Sequence, residues 1–328
     1  MSLKVLIADK VDQQVLDGIK ALGCEVTSNA GISADQLPNE IKGFDILIVR
    51  STRVTADTIN NSDLKMVIRA GAGVDTIDID AATKKGVFVC NTPGANGSAV
   101  AELVVGMLIC CDRKIAETTS RLKSGEWCKT SFQDSLGIRG RTLGIIGLGQ
   151  IGRMVALTCQ AMGMNIVSYD KYVSKEVMDS LNVGFCESVE EMLPKIDALT
   201  LHTVLTDETR HMLNKKTFAM MKDGCIIINA SRGEVINQED LVEAIKTKHL
   251  KVALDVFENE PPANGKDFST HKELTSLLTC CTPHIGASTK QAAEMVGVHT
   301  VEIVEFFVKN SNTPPPRNVV NRELLEKK

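Results

Sequence analysis

Thr142-Leu143-Gly144-Ile145-Ile146-Gly147-Leu148-Gly149-Gln150-Ile151-Gly152 joins a short apolar run to a G-x-G-x-x-G, and a helical pattern follows. A second apolar run, Ile166-Val167-Ser168-Tyr169, ends on Asp170, eighteen residues past Gly152. Strand, glycine turn, helix, strand and acidic residue in that order predict one half of a dinucleotide-binding fold. Gly147 suits the tight turn out of the strand, Gly149 a close backbone approach to a pyrophosphate, and Gly152 close packing of helix on sheet. The helix N-terminus would present free N–H groups and a positive dipole end to the phosphates. Asp170 would accept hydrogen bonds from ribose hydroxyls and repel a 2′-phosphate, so the motif predicts NAD as cofactor. The competing reading is a glycine-rich strand-to-helix turn with no ligand.

Around this stretch the chain is long enough for two cores: 328 residues, 43% apolar and only 4% aromatic, so the packing must be aliphatic. A net charge of -4 argues against a nucleic-acid binder, and an anionic substrate would need a local basic pocket. Of the ten cysteines none is spaced C-x-x-C, and two pairs are adjacent, Cys110-Cys111 and Cys280-Cys281. They read as buried reduced thiols of a cytoplasmic protein rather than a disulfide framework or a metal site. The first residues read directly as a strand, without signal-peptide architecture, and no apolar run approaches membrane-spanning length.

The fold class expected is α/β, with two Rossmann-like or flavodoxin-like parallel-sheet domains and the active site in the cleft between them. Apolar runs at 5–8, 46–49, 66–68 and 87–90 read as buried strands of the first domain. Runs at 142–147, 165–169, 197–201, 225–229, 251–255 and 277–282 read as those of the second. A helix pattern begins near Ser98, and another opens at Ser288-x-x-Gln291 and can return the chain to the first domain. Ser188-x-x-Glu191 reads as a further capping box. The boundaries expected are 1–97 plus 289–328 for a substrate-binding domain and 98–288 for the NAD-binding domain. The Pro314-Pro315-Pro316 tail should be extended and bound on the surface.

Ligands gather at the C-terminal ends of parallel strands. Three stretches place polar groups there: Asn229-Ala230-Ser231-Arg232-Gly233, the run from Asp255 to Glu260, and Pro283-His284-Ile285-Gly286. An arginine, a carboxylate and a histidine are what hydride transfer from a 2-hydroxy acid requires. The histidine takes the hydroxyl proton, the arginine holds the substrate carboxylate, and the carboxylate orients and raises the imidazole. Taken singly, each residue has a structural reading too: Arg232 a surface charge, Glu260 a turn residue before Pro261, His284 a satisfied histidine. His202 also ends an apolar strand, and periodicity does not choose between it and His284; the histidines at 211, 249, 271 and 299 read as structural. In the first domain Arg69-Ala70-Gly71-Ala72-Gly73-Val74-Asp75 lacks a third glycine. Its bare N–H groups at Gly71 and Gly73 suit a substrate carboxylate, or the run is simply a tight turn. Arg50 and Arg53, after another strand of that domain, suit an anionic group such as phosphate.

These motifs, together with Val49-Arg50-Ser51, Asn91-Thr92-Pro93, Asp255-Val256-Phe257-Glu258-Asn259-Glu260-Pro261-Pro262 and Pro283-His284-Ile285-Gly286-Ala287-Ser288, resemble the D-2-hydroxyacid dehydrogenase family over nearly the whole chain, and within it the phosphoglycerate branch. The resemblance implies catalytic roles for Arg232, Glu260 and His284, and, beside the glycines Gly147, Gly149 and Gly152 already read as cofactor-binding, NAD contacts at Ala72, Gln150, Ile151, Asp170, Thr203, Ala230, Ser231, Asp255, His284, Ile285, Gly286 and Ala287. It implies a substrate contact at Arg50, and a homodimer or higher homo-oligomer formed through the glycine-motif domain and the helix near Ser98. The reaction implied is oxidation of 3-phosphoglycerate to 3-phosphohydroxypyruvate, the entry to serine biosynthesis. Where the family often has proline after the His-Thr pair this chain has Val204, and the segment 264–270 looks longer than in some relatives. Many relatives carry a C-terminal serine-binding domain past the point matching Asn318-Val319-Val320-Asn321, and none is expected in this sequence. Two alternatives stand beside this reading: a glyoxylate or hydroxypyruvate reductase, and an NADH-sensing binding protein resembling the corepressors related to the family.

Overall fold

The computed structural model describes residues 2–261 and 265–326. Pro262 and the start of the segment 264–270 lie outside the described residues. The chain divides into two compact units, one built from residues up to Asn96 together with Ser288 onward, the other from Gly97–Ala287.

The first unit holds strands β1 (Lys4–Ile7), β2 (Glu25–Ser28), β3 (Ile46–Val49), β4 (Met66–Arg69) and β5 (Phe88–Asn91). They form a wholly parallel sheet in the order β2-β1-β3-β4-β5, which is flavodoxin-like, with its switch point between β1 and β3. Both faces are covered: Val15, Ile19, Ile303, Val304 and Phe307 pack on one and Leu37, Ile41, Ile59 and Ala82 on the other. That cover is why every residue of β3 is 0% exposed and the strand is a continuous apolar run rather than an alternation. The returning helix Lys290–Lys309 seats tightly on the helix Gln13–Ala21 because glycines face it. A Cβ on Gly297 would come within 2.8 Å of a Val15 methyl, and one on Gly18 within 3.0 Å of Val301.

The second unit holds β6 (Thr142–Ile146), β7 (Asn165–Tyr169), β8 (Gly184–Phe185), β9 (Ala198–Leu201), β10 (Ile226–Asn229), β11 (Lys251–Leu254) and β12 (Cys280–Cys281). These too are all parallel, in the order β12-β11-β10-β9-β6-β7-β8, so the switch point falls between β6 and β9, where the glycine turn emerges. The helix Gly97–Arg113 packs on β10, β11 and β12 and contributes Val104, Met107, Leu108 and Cys111 to one core, while the other face is built around Leu199, Leu201, Phe218 and Ile227.

Four local expectations are corrected. β2 and β8 were not among the expected strands: both lie at sheet edges, and β2, mostly exposed, has no apolar run to mark it. The Lys290 helix is capped by Thr289, whose side chain accepts from Ala292 N at 3.0 Å, so the start lies one residue past the expected Ser288. At Ser188 only half a capping box forms, because Glu191 accepts instead from Glu187 N at 2.7 Å. The proline tail is not a surface strap: Pro314 and Pro315 are buried. Beyond them Val320 N donates to Val89 O at 2.8 Å and Asn321 Oδ1 accepts from Val89 N at 2.9 Å. The tail thus satisfies backbone groups of β5 that a sheet edge would leave open. Among the described residues no helix is long and apolar enough to cross a membrane, and all ten cysteines are free.

Candidate active site

The turn leaving β6 is shaped by close approaches. Gly147 has φ +92°, and a Cβ there would lie 2.6 Å from His202 O. A Cβ on Gly152 would lie 2.2 Å from Gly147 O, so helix and turn meet backbone to backbone. Gly149 is the opposite case: nothing stands within 4 Å of where its Cβ would be, and no side chain caps the helix Gln150–Ala161 that follows. That leaves an open cradle beneath uncapped N–H groups, which fits a pyrophosphate. Asp170 is held on the same turn, accepting from Leu148 N and Tyr172 N at 2.7 Å each and from Val173 N at 3.1 Å. Tyr172 and Val204, 87% and 71% exposed, offer apolar surface beyond β7 and β9 on either side of β6, and the Lys171–Glu208 ion pair at 2.7 Å ties those two loops together. Gly152→Ala is expected to cost about 1–3 kcal/mol of stability through overpacking and to weaken NADH binding at least about 10-fold, checked by thermal melting and fluorescence titration.

At the ends of β10 and β11 and beyond β12 the three polar stretches converge. His284 Nδ1 lies 2.6 Å from Glu260 Oε2, and Phe257 N donates to Glu260 Oε1 at 3.0 Å, so the carboxylate is held from both sides. His284 has φ +52°, a left-handed conformation fixed by its N–H donating to Asp255 O at 2.8 Å. Asp255, 1% exposed, braces the whole turn: Oδ1 accepts from Thr282 Oγ1 at 2.5 Å and Ile285 N at 2.8 Å, and Oδ2 from Gly286 N at 2.8 Å. A Cβ on Gly286 would approach that Oδ2 to 3.0 Å. Arg232 follows β10, where the buried Asn229 side chain shapes the loop by accepting from Ser231 and donating to Arg232 O at 2.8 Å. Its Nη1 donates to Ser231 O at 2.7 Å.

These contacts set opposite protonation tendencies. For His284 the Glu260 hydrogen bond raises the pKa more than burial lowers it, with Asp255 adding and Arg232 opposing. For Glu260, burial pushes upward, and the His284 bond and charge, the Phe257 N–H and Arg232 outweigh it, so the carboxyl sits below its usual range. The raised His284 pKa favours the fold below it and is lost as pH rises through it; the lowered Glu260 pKa favours the fold above it and is lost as pH falls through it. The complete ion pair therefore occupies the window between the two. Glu260→Gln is expected to lower the His284 pKa by removing the charged partner that raises it, measured by NMR titration of the ring. No change would mean that Glu260 does not govern the imidazole.

His202, the other strand-end histidine, is a different object. Its Nε2 lies 3.0 Å from Thr200 Oγ1, and desolvation pulls its pKa down to about 4, so it stays neutral behind Thr203. Two histidines read as structural from sequence prove to anchor the loop that carries Glu260. His211 Nε2 meets Glu258 Oε1 at 2.6 Å, and His271 Nε2 meets Glu258 O at 2.7 Å while its ring stacks on Phe268. No local signal marks them, since their partner lies 47 and 13 residues away.

In the other unit Arg50 and Arg53 follow β3, beside the Gly71-Ala72-Gly73 turn that follows β4. Asp9, just past β1, accepts from Arg50 N at 2.7 Å, Ser51 N at 3.1 Å and Thr52 N at 3.0 Å, which places Arg50 at that sheet's switch point. Both arginines are exposed and neither guanidinium is hydrogen-bonded or ion-paired among the described residues. Gly71 holds φ +145°, a backbone conformation that favours glycine, and Ala72 O accepts from Asn91 Nδ2 at 2.6 Å.

Residues 105–286 match the family model described as D-isomer specific 2-hydroxyacid dehydrogenase, NAD binding domain. A D-3-phosphoglycerate dehydrogenase of Methanocaldococcus jannaschii is 39% identical over 97% of this chain and 59% of its own length. The chain thus spans less than two thirds of that relative. A hydroxypyruvate reductase of Thermotoga maritima is 42% identical over 90% of this chain and 94% of its own length. Among solved structures, the D-lactate dehydrogenase of Aquifex aeolicus complexed with NAD and lactic acid superposes with a TM-score of 0.81 at 27% identity, covering 97% of this chain and 99% of that one.

Proposed function

The chain belongs to the D-isomer-specific 2-hydroxyacid dehydrogenase family, and we propose that it interconverts a small anionic 2-hydroxy acid and its 2-oxo acid, with 3-phosphoglycerate and 3-phosphohydroxypyruvate as the pair. The observation that carries the reaction class is the His284–Glu260 contact at 2.6 Å, set with Arg232 in the same unit as the open glycine cradle. Gly149, the amides opening the Gln150 helix and Asp170 would hold NAD, with Tyr172 and Val204 flanking its base and Thr203, Ala230, Ser231, Asp255, Gly286 and Ala287 at the strand ends nearest the reacting end. NAD supplies the hydride acceptor.

With Nδ1 committed to Glu260, His284 Nε2 is the atom left to exchange a proton with the substrate oxygen. In the oxidation Nε2 takes the proton of the 2-hydroxyl, and the Nδ1 proton stays against Glu260, which stabilises the imidazolium that forms. In the reverse direction the same proton returns to the oxygen on C2. Arg232 holds the substrate carboxylate and draws charge toward that oxygen.

The phosphorylated substrate is supported by the two unpaired arginines at the switch point of the first unit and by the match to phosphoglycerate dehydrogenases. Arg50→Ala is expected to raise KM for 3-phosphohydroxypyruvate about 10-fold or more, the value of one charge-assisted hydrogen bond, and to leave KM for glyoxylate within about twofold. The near full-length match to a hydroxypyruvate reductase supports the second reading, a reductase of unphosphorylated 2-oxo acids. NADH consumption with 3-phosphohydroxypyruvate, hydroxypyruvate, glyoxylate and pyruvate separates the two: kcat/KM indifferent to the phosphate would overturn the first. Tight NADH binding without turnover of any of them would instead point to an NADH-sensing binding protein. A homodimer through the glycine-motif unit is supported by Ile115, Leu122, Trp127 and Leu136, which are 45–80% exposed along the segment after the Gly97 helix; light scattering tests it.

A further inference from the structure

The segment that carries Arg50 and Arg53 is clamped at both ends. The ladder around β3 stops where Ala8 N donates to Ile48 O at 3.0 Å and Ala70 N to Val49 O at 2.7 Å. The next N–H groups, of Arg50, Ser51 and Thr52, have left the sheet and turn onto a single oxygen, Asp9 Oδ2, at 2.7, 3.1 and 3.0 Å. Ser51 Oγ donates to the other oxygen, Oδ1, at 2.8 Å. Successive N–H groups aimed at one point make an anion-binding concavity, and here an internal carboxylate fills it. Burial pushes the Asp9 carboxyl upward, and the bonds from Arg50, Thr52 and Ser51 outweigh it, so the group lies below its usual range and stays ionised. Beyond Arg53, Val54 is 1% exposed and forms a parallel bridge with Ile77. Its N–H donates to Thr76 O at 2.8 Å and its O accepts from Asp78 N at 2.9 Å, which ties the segment to the stretch after the Gly71-Ala72-Gly73 turn. Asp9 thus commits its oxygens to the backbone and hydroxyl of the segment rather than to a guanidinium.

We propose that Asp9 is a positioning residue for phosphate recognition: it fills the concavity and fixes the backbone at 50–52, so that the side chains of Arg50 and Arg53, not main-chain N–H groups, select a phosphorylated 2-oxo acid. This rests on the phosphate reading of the two arginines given above. With the N–H groups already occupied by Asp9, an incoming phosphate is left the guanidinium forks, whose planar donors suit its oxygens. The preference for phosphate then depends on where the backbone sets those forks, and Asp9 sets the backbone.

The readout is the ratio of kcat/KM with 3-phosphohydroxypyruvate to kcat/KM with hydroxypyruvate, measured with NADH on the full chain. Asp9→Ala is expected to lower that ratio about 10-fold, since a small misplacement of a binding group is amplified in rate. Asp9→Asn should stay within about threefold of the unmutated ratio, because its amide oxygen can accept the same N–H groups while its NH2 donates to Ser51 Oγ. In an Arg50→Ala, Arg53→Ala background, Asp9→Ala should change the ratio no further. A ratio that Asp9→Ala leaves intact or raises, equal losses with both substrates, an asparagine no better than alanine, or a further fall without the arginines would each overturn the proposal and leave the phosphate reading standing. An unmutated chain without preference for the phosphorylated acid would overturn both. If Asp9→Ala does not fold, Asp9→Glu, whose longer stem displaces the carboxylate, should lower the ratio in the same sense, and an unchanged ratio there overturns the proposal.

Discussion

Replacing His284 by glutamine is expected to lower kcat by about 100- to 10,000-fold, the contribution of a positioned general acid–base, and to leave NADH affinity within about twofold. Glutamine approximates the length of the imidazole, and its amide N–H can still donate to Glu260 Oε2, now 2.6 Å from His284 Nδ1. It has no site that exchanges a proton near neutral pH. The backbone at 284 is held by the bond from its own N–H to Asp255 O, and Asp255 is held by Thr282, Ile285 and Gly286, so the turn survives a change of side chain. The glycine cradle and Asp170 belong to other strand ends, and NADH binding should be blind to the change. Steady-state kinetics in both directions with fluorescence titration of NADH decides the matter. An unchanged kcat would remove His284 from proton transfer, and lost NADH binding would make its role one of cofactor binding.

Arg232→Ala is expected to reduce kcat/KM by about 100- to 1,000-fold, the range for removing one preorganised donor aimed at developing charge. Arg232→Lys should recover little of it, because a point charge cannot reproduce the planar fork that grips a carboxylate. A second readout separates this role from damage to the loop. Arg232 depresses the His284 pKa and helps hold Glu260 ionised. Its removal should therefore move the His284 pKa upward, shifting the pH profile opposite to the shift expected for Glu260→Gln. A loop that merely collapses would lower activity without that shift. Asn229, whose side chain donates to Arg232 O, gives an internal comparison, since its loss disturbs the loop and leaves the guanidinium charge in place.

The sequence was most informative where strands are covered on both faces. Residues such as Ile46, Leu47, Ile48 and Val49, all 0% exposed, must be apolar without interruption, and such runs stand out in any window. β2 escaped because it is mostly exposed and β8 because it has only two residues: backbone hydrogen bonds hold both, and those leave no side-chain pattern. The same reason hid the role of the C-terminal tail: Val320 and Asn321 were legible as residues, but the backbone of β5 they satisfy was not. In the site, Arg232, Glu260 and His284 were legible as polar groups ending apolar runs. Their mutual arrangement depends on contacts between residues tens of positions apart, including His211 with Glu258 and Asp255 with Gly286.

By itself the sequence determined two parallel α/β units, a dinucleotide turn with Asp170 at the next strand end, and the residue types for proton and carboxylate chemistry, because glycine spacing and apolar periodicity are local properties of the chain. Only the tertiary structure decided which histidine is paired. His202 and His284 both follow β-strands, but one is desolvated beside a threonine and held neutral, while the other meets a carboxylate at 2.6 Å. That difference is electrostatic and arises from groups distant in sequence, so no window along the chain contains it.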